Sequence, residues 1–135
     1  MRFASAIAAI RARLDAGWSE TPVVHEGRAA APAADLGFLL CEVAPAPAVF
    51  ASIGDPAARL VRRPGEIRIH VFVPLSAADP DATARAQAAA VAALYEGAAF
   101  AGLACRAATM GAGTGSADAF WRVTVTIPFV FDEIV

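Results

Sequence analysis

The chain has 135 residues, the usual length of a single domain, with a formal net charge of −2 and 58% hydrophobic residues. This charge disfavours a general nucleic-acid binder, which needs a broad basic surface. The apolar runs are too short to span a bilayer, so no membrane association is expected.

The first eighteen residues predict an amphipathic α-helix, because an apolar side chain recurs every three or four residues. These side chains are Phe3, Ile7, Ile10, Leu14 and Trp18. The same stretch resembles an export signal, but Arg11 and Arg13 interrupt it and no cleavage-site pattern follows. We therefore expect a helix of the mature fold, in a protein made and used, or assembled, in the cytoplasm.

Short β-strands are predicted after this helix. Residues 22–25 form an extended piece, residues 27–35 have no periodicity and indicate a loop, and residues 38–43 and 49–53 are short apolar runs. The proline-rich stretch between these two runs is not expected in a central strand, because proline has no N–H to donate.

A β-hairpin is predicted around Pro64-Gly65, a turn-forming pair between the β-prone residues 59–63 and 66–73. In the second run, alternate side chains share a face. One face has Ile67, Ile69, Val71 and Val73, and the other has Arg68, His70 and Phe72.

A second helix is predicted to begin at Asp79-Pro80, since aspartate caps free N–H groups and proline fits the first helical position. It is expected to run to about Glu96, with Gly97 as the stop signal. Its expected buried stripe is Ala84, Ala88, Val91 and Tyr95.

The C-terminal part predicts more β structure: residues 103–110, and then a long strand over residues 120–131. The buried face of this strand is expected to contain Trp121, Val123, Val125, Ile127, Phe129 and Phe131. Arg122, Thr124 and Thr126 alternate with them on a wetter face. The whole order predicts one α+β domain over residues 1–135: a mainly antiparallel β-sheet with two α-helices packed on one face.

No catalytic signature emerges from the sequence, and no cofactor, metal site or enzymatic activity is expected. The glycines Gly111, Gly113 and Gly115 precede a strand, whereas a dinucleotide fingerprint precedes a helix, so a flexible hairpin loop is favoured. Cys41 and Cys105 lack CxxC spacing and lie in apolar stretches, where buried free thiols are favoured over zinc ligands, a disulfide or a catalytic Cys–His pair.

The candidate interaction residues are arginines: Arg59, Arg62, Arg63, Arg68 and Arg122. Guanidinium groups pair well with carboxylates and phosphates. Two interpretations follow: a solvated hairpin tip, or a contact with an acidic partner, a neighbouring subunit or DNA passing close by.

Several segments together resemble one known family. They are the N-terminal helix leading to Trp18, the following ETPVVHE, the stretch PGEIRIHVFVP, the helix DATARAQAAAVAALYEGAAF and the terminal WRVTVTIPFVFDE. Together they span nearly the whole chain, which resembles the tail terminator (tail completion) proteins of long-tailed bacteriophages and of phage-derived elements such as gene transfer agents.

This resemblance implies a structural virion protein, assembled in the bacterial host cytoplasm and located in the virion tail. Such proteins form a ring, typically a homo-hexamer, that caps the tail tube, ends its polymerisation and offers a surface to the head-side connector or stopper protein. DNA passes through the lumen without sequence-specific binding, and no cofactor is implied. The sheet tends to face inward and the helices outward.

Two further points are hypotheses from the sequence. Residues 27–35 and 111–118 are expected to be mobile in the free subunit and to order against neighbours.

The alternative function is a small ligand-binding or regulatory α/β dimer without catalytic activity, because this architecture has many uses.

Overall fold

The computed structural model describes residues 2–28, 36–50, 59–115 and 119–134. This part of the chain has the predicted α+β architecture, with two α-helices and one mixed sheet of nine strands. The elements in chain order are α1 Phe3–Gly17, β1 Val23–His25, β2 Phe38–Pro45, β3 Val49–Phe50, β4 Leu60–Pro74, α2 Pro80–Tyr95, β5 Ala99–Phe100, β6 Leu103–Cys105, β7 Thr109–Met110, β8 Thr114–Gly115 and β9 Phe120–Ile134.

Both helices follow the sequence prediction closely. In α1, Ile10 and Leu14 are fully buried and Trp18 is buried just after the helix, whereas Phe3 and Ile7 of the predicted stripe are only partly buried. Helix α2 begins with Pro80, its Asp79 carboxylate accepts the Ala82 N–H at 3.1 Å, and it ends one residue before Glu96. The four residues predicted for its buried stripe are all fully buried: Ala84, Ala88, Val91 and Tyr95.

The sheet is mainly antiparallel, as predicted. Its main strand order is β1-β2-β4-β9-β6-β5, with β3 on β4 and with β7 and β8 on β9. Strands β4 and β9 form its centre and pair along all fifteen residues of each strand. Strands β1 and β2 form the one parallel pair among the described strands.

The hairpin predicted at Pro64-Gly65 is wrong, because β4 runs through both residues without a turn. The Pro64 carbonyl accepts the Ala46 N–H at 3.0 Å. Because the nitrogen and the carbonyl of one residue in an antiparallel strand point to the same side, the Pro64 nitrogen also points to the side of Ala46. There β2 ends opposite Gly65 and β3 begins opposite Arg62, so the missing donor costs the sheet no ladder bond.

The shorter predicted segments are matched in part. Strand β2 extends beyond residue 43 to Pro45, so the start of the proline-rich stretch does join the sheet at the end of β2. Strand β3 covers Val49–Phe50, and residues 51–53 lie outside the described residues, as do 29–35 and 116–118 of the two predicted loops. The glycine-rich segment contains β8 and leads into a strand, as expected.

One face of the sheet forms the core with both helices. Its large side chains alternate along β4 and β9 and are at most 3% exposed: Ile67, Ile69, Val71, Val73, Val123, Val125, Ile127, Phe129 and Phe131. Trp121 is on the same side but is only partly buried, and its indole N–H donates to Asp81 at 2.8 Å.

A buried hydrogen bond between the two helices leads to a stability prediction. The Tyr95 hydroxyl in α2 donates to the Ile10 carbonyl in α1 at 2.6 Å. Tyr95→Phe keeps the ring and removes this bond, so we expect it to lower the free energy of unfolding by about 0.5–1.5 kcal/mol. Urea unfolding measures the change, and a variant as stable as the native chain would contradict it.

Candidate interaction surface

The side of the sheet that faces away from the helices has a polar and aromatic surface, called here the open face. It consists of the even-numbered side chains of β4 from 66 to 72 and of β9 from 122 to 130, with Phe38, Leu40 and Glu42 of β2. Most of these side chains are partly buried, whereas their odd-numbered neighbours, apart from Val43 and Trp121, are buried in the core. The polar face predicted for β4, with Arg68 and His70, and the wetter face predicted for β9, with Arg122, Thr124 and Thr126, therefore form one surface.

His70 connects three strands across the middle of the open face. Its Nδ1 lies 2.8 Å from the Thr124 hydroxyl and its Nε2 lies 3.3 Å from the Glu42 carboxylate. Arg68, next along β4, donates to Glu66 on the same strand. These contacts link the polar side chains at the centre of the open face across β2, β4 and β9.

Three aromatic rings cover one end of the open face. Phe38 and Phe72 are stacked with ring centroids 4.6 Å apart, and Phe120 meets both edge-on at 5.5 and 6.1 Å. Such pairs stabilise a sheet by about 0.5–1.5 kcal/mol beyond the area they bury. Alternation along β4 predicts Phe72 on this face, but its pairing with Phe38 depends on long-range register.

The five candidate arginines do not form one patch. Strand alternation places Arg62, Arg68 and Arg122 on the open-face side and Arg63 on the other side. Arg122 is partly buried and has no ion pair with the described residues, while Arg59 just precedes β4 and is exposed.

Two of these arginines bind the carboxylates that end β9. Arg62 holds Asp132 through two hydrogen bonds of 2.9 and 3.1 Å, and Arg63 pairs with Glu133. Hydrogen bonding from Arg62 lowers the pKa of Asp132. Arg62 and Arg63 are therefore paired with carboxylates of their own chain.

The cysteines show the properties of buried structural thiols. Cys41 is 1% exposed and Cys105 is 7% exposed, and burial raises the pKa of Cys41 to about 12 and that of Cys105 above its ordinary value. Cys41 lies beside His25 in the parallel register of β1 and β2. A thiol with so high a pKa remains protonated at neutral pH, so this pair does not present a thiolate nucleophile.

His25 makes a second contact that the sequence did not indicate. It is 5% exposed, and its Nε2 lies 2.8 Å from the Asp15 carboxylate at the end of α1. Asp15→Ala leaves this ring nitrogen buried without a partner, so we expect a loss of about 1–3 kcal/mol of unfolding free energy. Chemical denaturation tests this, and Asp15→Asn, which keeps an acceptor, should lose less; equal losses would contradict the assignment.

The described part of the chain has surface cavities, two of which border the helices and the β6 edge. One, of about 500 Å³, runs between α2 and β7 and is lined mainly by alanines with Met110 and Val125. Its acidic side chain, Glu96, already accepts the Ala108 N–H at 3.2 Å. The other, of about 260 Å³, lies beside β6 between Arg62 and Arg106.

Within the described part of the chain, no three potential ligands among His, Cys, Asp and Glu come together as a metal site. None of the described helices combines the length and the apolar character needed to cross a membrane.

Comparison with known proteins identifies the fold. No family model matches the sequence, and no curated protein matches it either. A solved structure whose name gives no function is similar, with 23% sequence identity and a TM-score of 0.61 over 93% of this chain and 94% of that chain. At this identity, the similarity shows a shared fold over almost the whole length.

Proposed function

We propose that this chain is a tail terminator protein of a long-tailed phage or a phage-derived element. In this role it forms a homo-hexameric ring on the finished tail tube, ends tube polymerisation and offers a surface to the head-side connector or stopper. DNA passes through its lumen without sequence-specific binding. Its place is the virion tail, after assembly in the host cytoplasm.

The observation that supports this proposal best is the one-sided sheet. Both helices cover one face, and the opposite face is left with an aromatic end, a polar centre and the half-buried Arg122. The segments of the family resemblance coincide with α1, β4, α2 and β9, the elements that build this arrangement. In a ring whose sheet faces inward, the open face would border the lumen or a subunit contact.

Tail length is the direct test of this function. Removing the gene from its phage or element should give tails of irregular length without attached heads, as seen by electron microscopy, and the wild-type gene should restore uniform tails. Complementation with Arg68→Glu and Arg122→Glu together should restore fewer joined particles, because two acidic groups would then face the DNA path. Arg85→Glu, on the exposed side of α2, is the matched control. Unchanged tail length after gene removal would overturn the proposal.

The cavity beside α2 favours the alternative of a ligand-binding or regulatory dimer. Its volume of about 500 Å³ lies within the range of small-molecule sites. Its lining offers few convergent polar groups, which such sites use to fix a ligand. Light scattering separates the two functions: a stable dimer that binds a metabolite supports the alternative, and a hexamer or a monomer that joins tail tubes supports the terminator.

A further inference from the structure

The β1 edge of the sheet has an excess of exposed acidic side chains. Asp15, Glu20 and Glu26 surround this edge, and all three are exposed. Half of the Asp15 side chain remains accessible although one of its oxygens binds His25. Arg11 and Arg28 also lie near this edge, and the guanidinium of Arg11 donates to the Glu26 carbonyl at 2.7 Å, so three carboxylates stand against two guanidinium groups. We call these three carboxylates the acidic edge.

The β5–β6 edge, on the opposite side of the sheet, has an excess of arginines. Arg62 and Arg106 line the cavity of about 260 Å³ there, and the Arg13 guanidinium lies 4.5 Å above the centre of the Phe100 ring in β5. Asp132 is bound to Arg62, which leaves Arg106 as an exposed cation without an ion pair to the described residues. These three arginines are called the basic edge.

We propose that the acidic edge of one copy of this chain binds the basic edge of the next copy. Opposite charges on opposite edges of one sheet complement each other when the same contact repeats head to tail. A two-fold dimer through either edge would instead place like charges against each other, which is unfavourable. That these contacts close into a ring rests on the proposed function. Which surfaces meet is inferred from the charges on the two edges.

Arg106 is the centre of the basic half of this contact. Its backbone N–H donates to the Pro128 carbonyl at 2.8 Å, so the strand holds the position of the residue while the side chain stays exposed. A carboxylate from Glu20 or Glu26 of a neighbour would pair with this guanidinium at the cavity. Because both partners are exposed in the single chain, assembly should weaken as salt concentration rises.

The test uses charge reversal on each edge of the full chain, followed by sedimentation or native mass spectrometry. We expect the wild-type chain to form species larger than dimers as concentration rises. Arg106→Glu alone, and Glu20→Arg with Glu26→Arg, should each weaken assembly by about tenfold or more. An equimolar mixture of the two variants should assemble again, because each unfavourable edge then meets an opposite one. Arg85→Glu, away from both edges, should assemble like the wild type.

Three results would overturn the edge contact: a wild-type chain that is monomeric up to about 1 mM, a species that stops at a dimer, or edge variants that assemble normally. The tail-length experiment separates this from a failure of the proposed function. If edge variants assemble normally but gene removal changes tail length, the edge contact is wrong and the function stands. If edge variants lose assembly and gene removal leaves tail length unchanged, the contact stands and the function is wrong.

Discussion

Phe129→Ala is expected to lower the free energy of unfolding by about 3–5 kcal/mol. The Phe129 ring is 1% exposed, lies on the helix-covered face and stacks parallel to Phe131 with centroids 6.4 Å apart. Both partners lie on the central strand β9, where neighbouring strands on either side limit collapse into the space left behind. Urea denaturation of the variant and the native chain measures the loss.

The space for this ring exists because its cross-strand partner is a glycine. Gly65 lies directly opposite Phe129, and a Cβ on Gly65 would come within 2.5 Å of the ring and 2.9 Å of the Ala44 carbonyl. Gly65→Ala is therefore expected to cost about 1–3 kcal/mol by overpacking. In the double variant Gly65→Ala/Phe129→Ala, the clash with the ring is gone. Its loss of unfolding free energy should therefore be smaller than the sum of the two single-variant losses, by a coupling of about 0.5–3 kcal/mol.

Gly115→Ala is the matched control, because nothing lies within 4 Å of a Cβ at that position in β8. We expect it to change stability by less than about 0.5 kcal/mol, as surface substitutions usually do. Strictly additive costs for Gly65→Ala and Phe129→Ala would show that the glycine does not serve the ring.

The same pair shows where sequence reasoning succeeds and where it fails. Periodicity assigned Phe129 to the core, because alternation along one strand is a local property. The Pro64-Gly65 pair predicts a turn locally, but fifteen antiparallel pairs with β9 keep β4 extended. Gly65 is needed for close approach to a ring sixty-four residues later in the chain, and nothing in its neighbourhood indicates that.

The open face likewise has features that strand alternation predicts and contacts that it does not predict. Alternation was sufficient to place Arg68, His70 and Arg122 on one face. The partners of this face came from elsewhere in the chain, such as Glu42 beside His70 and Asp132 beside Arg62. These contacts depend on which strands become neighbours, and a single strand pattern does not encode strand order.

A second large effect is expected at alkaline pH, from the buried thiol of Cys41. Burial raises its pKa from an ordinary value of 9.0 to about 12, so the folded state keeps the proton that the unfolded chain releases. The free energy of unfolding therefore keeps its full value below pH 9 and falls as the pH rises towards 12. With about 1.4 kcal/mol per pKa unit, the loss reaches roughly 4 kcal/mol across this range. The pKa of the Tyr95 hydroxyl is also raised by burial, which adds to the loss above pH 10.

Cys41→Ala isolates the thiol's share of this pH dependence, because alanine fills part of the same site and does not titrate. Unfolding free energies at pH 8 and pH 11 should differ less in Cys41→Ala than in the native chain, since one buried proton fewer is linked to folding. Val71→Ala, another fully buried position on the same face, should lower stability at both pH values and keep the native difference. Identical pH dependence in Cys41→Ala and the native chain would mean that the thiol ionises as readily in the folded core as in the unfolded chain.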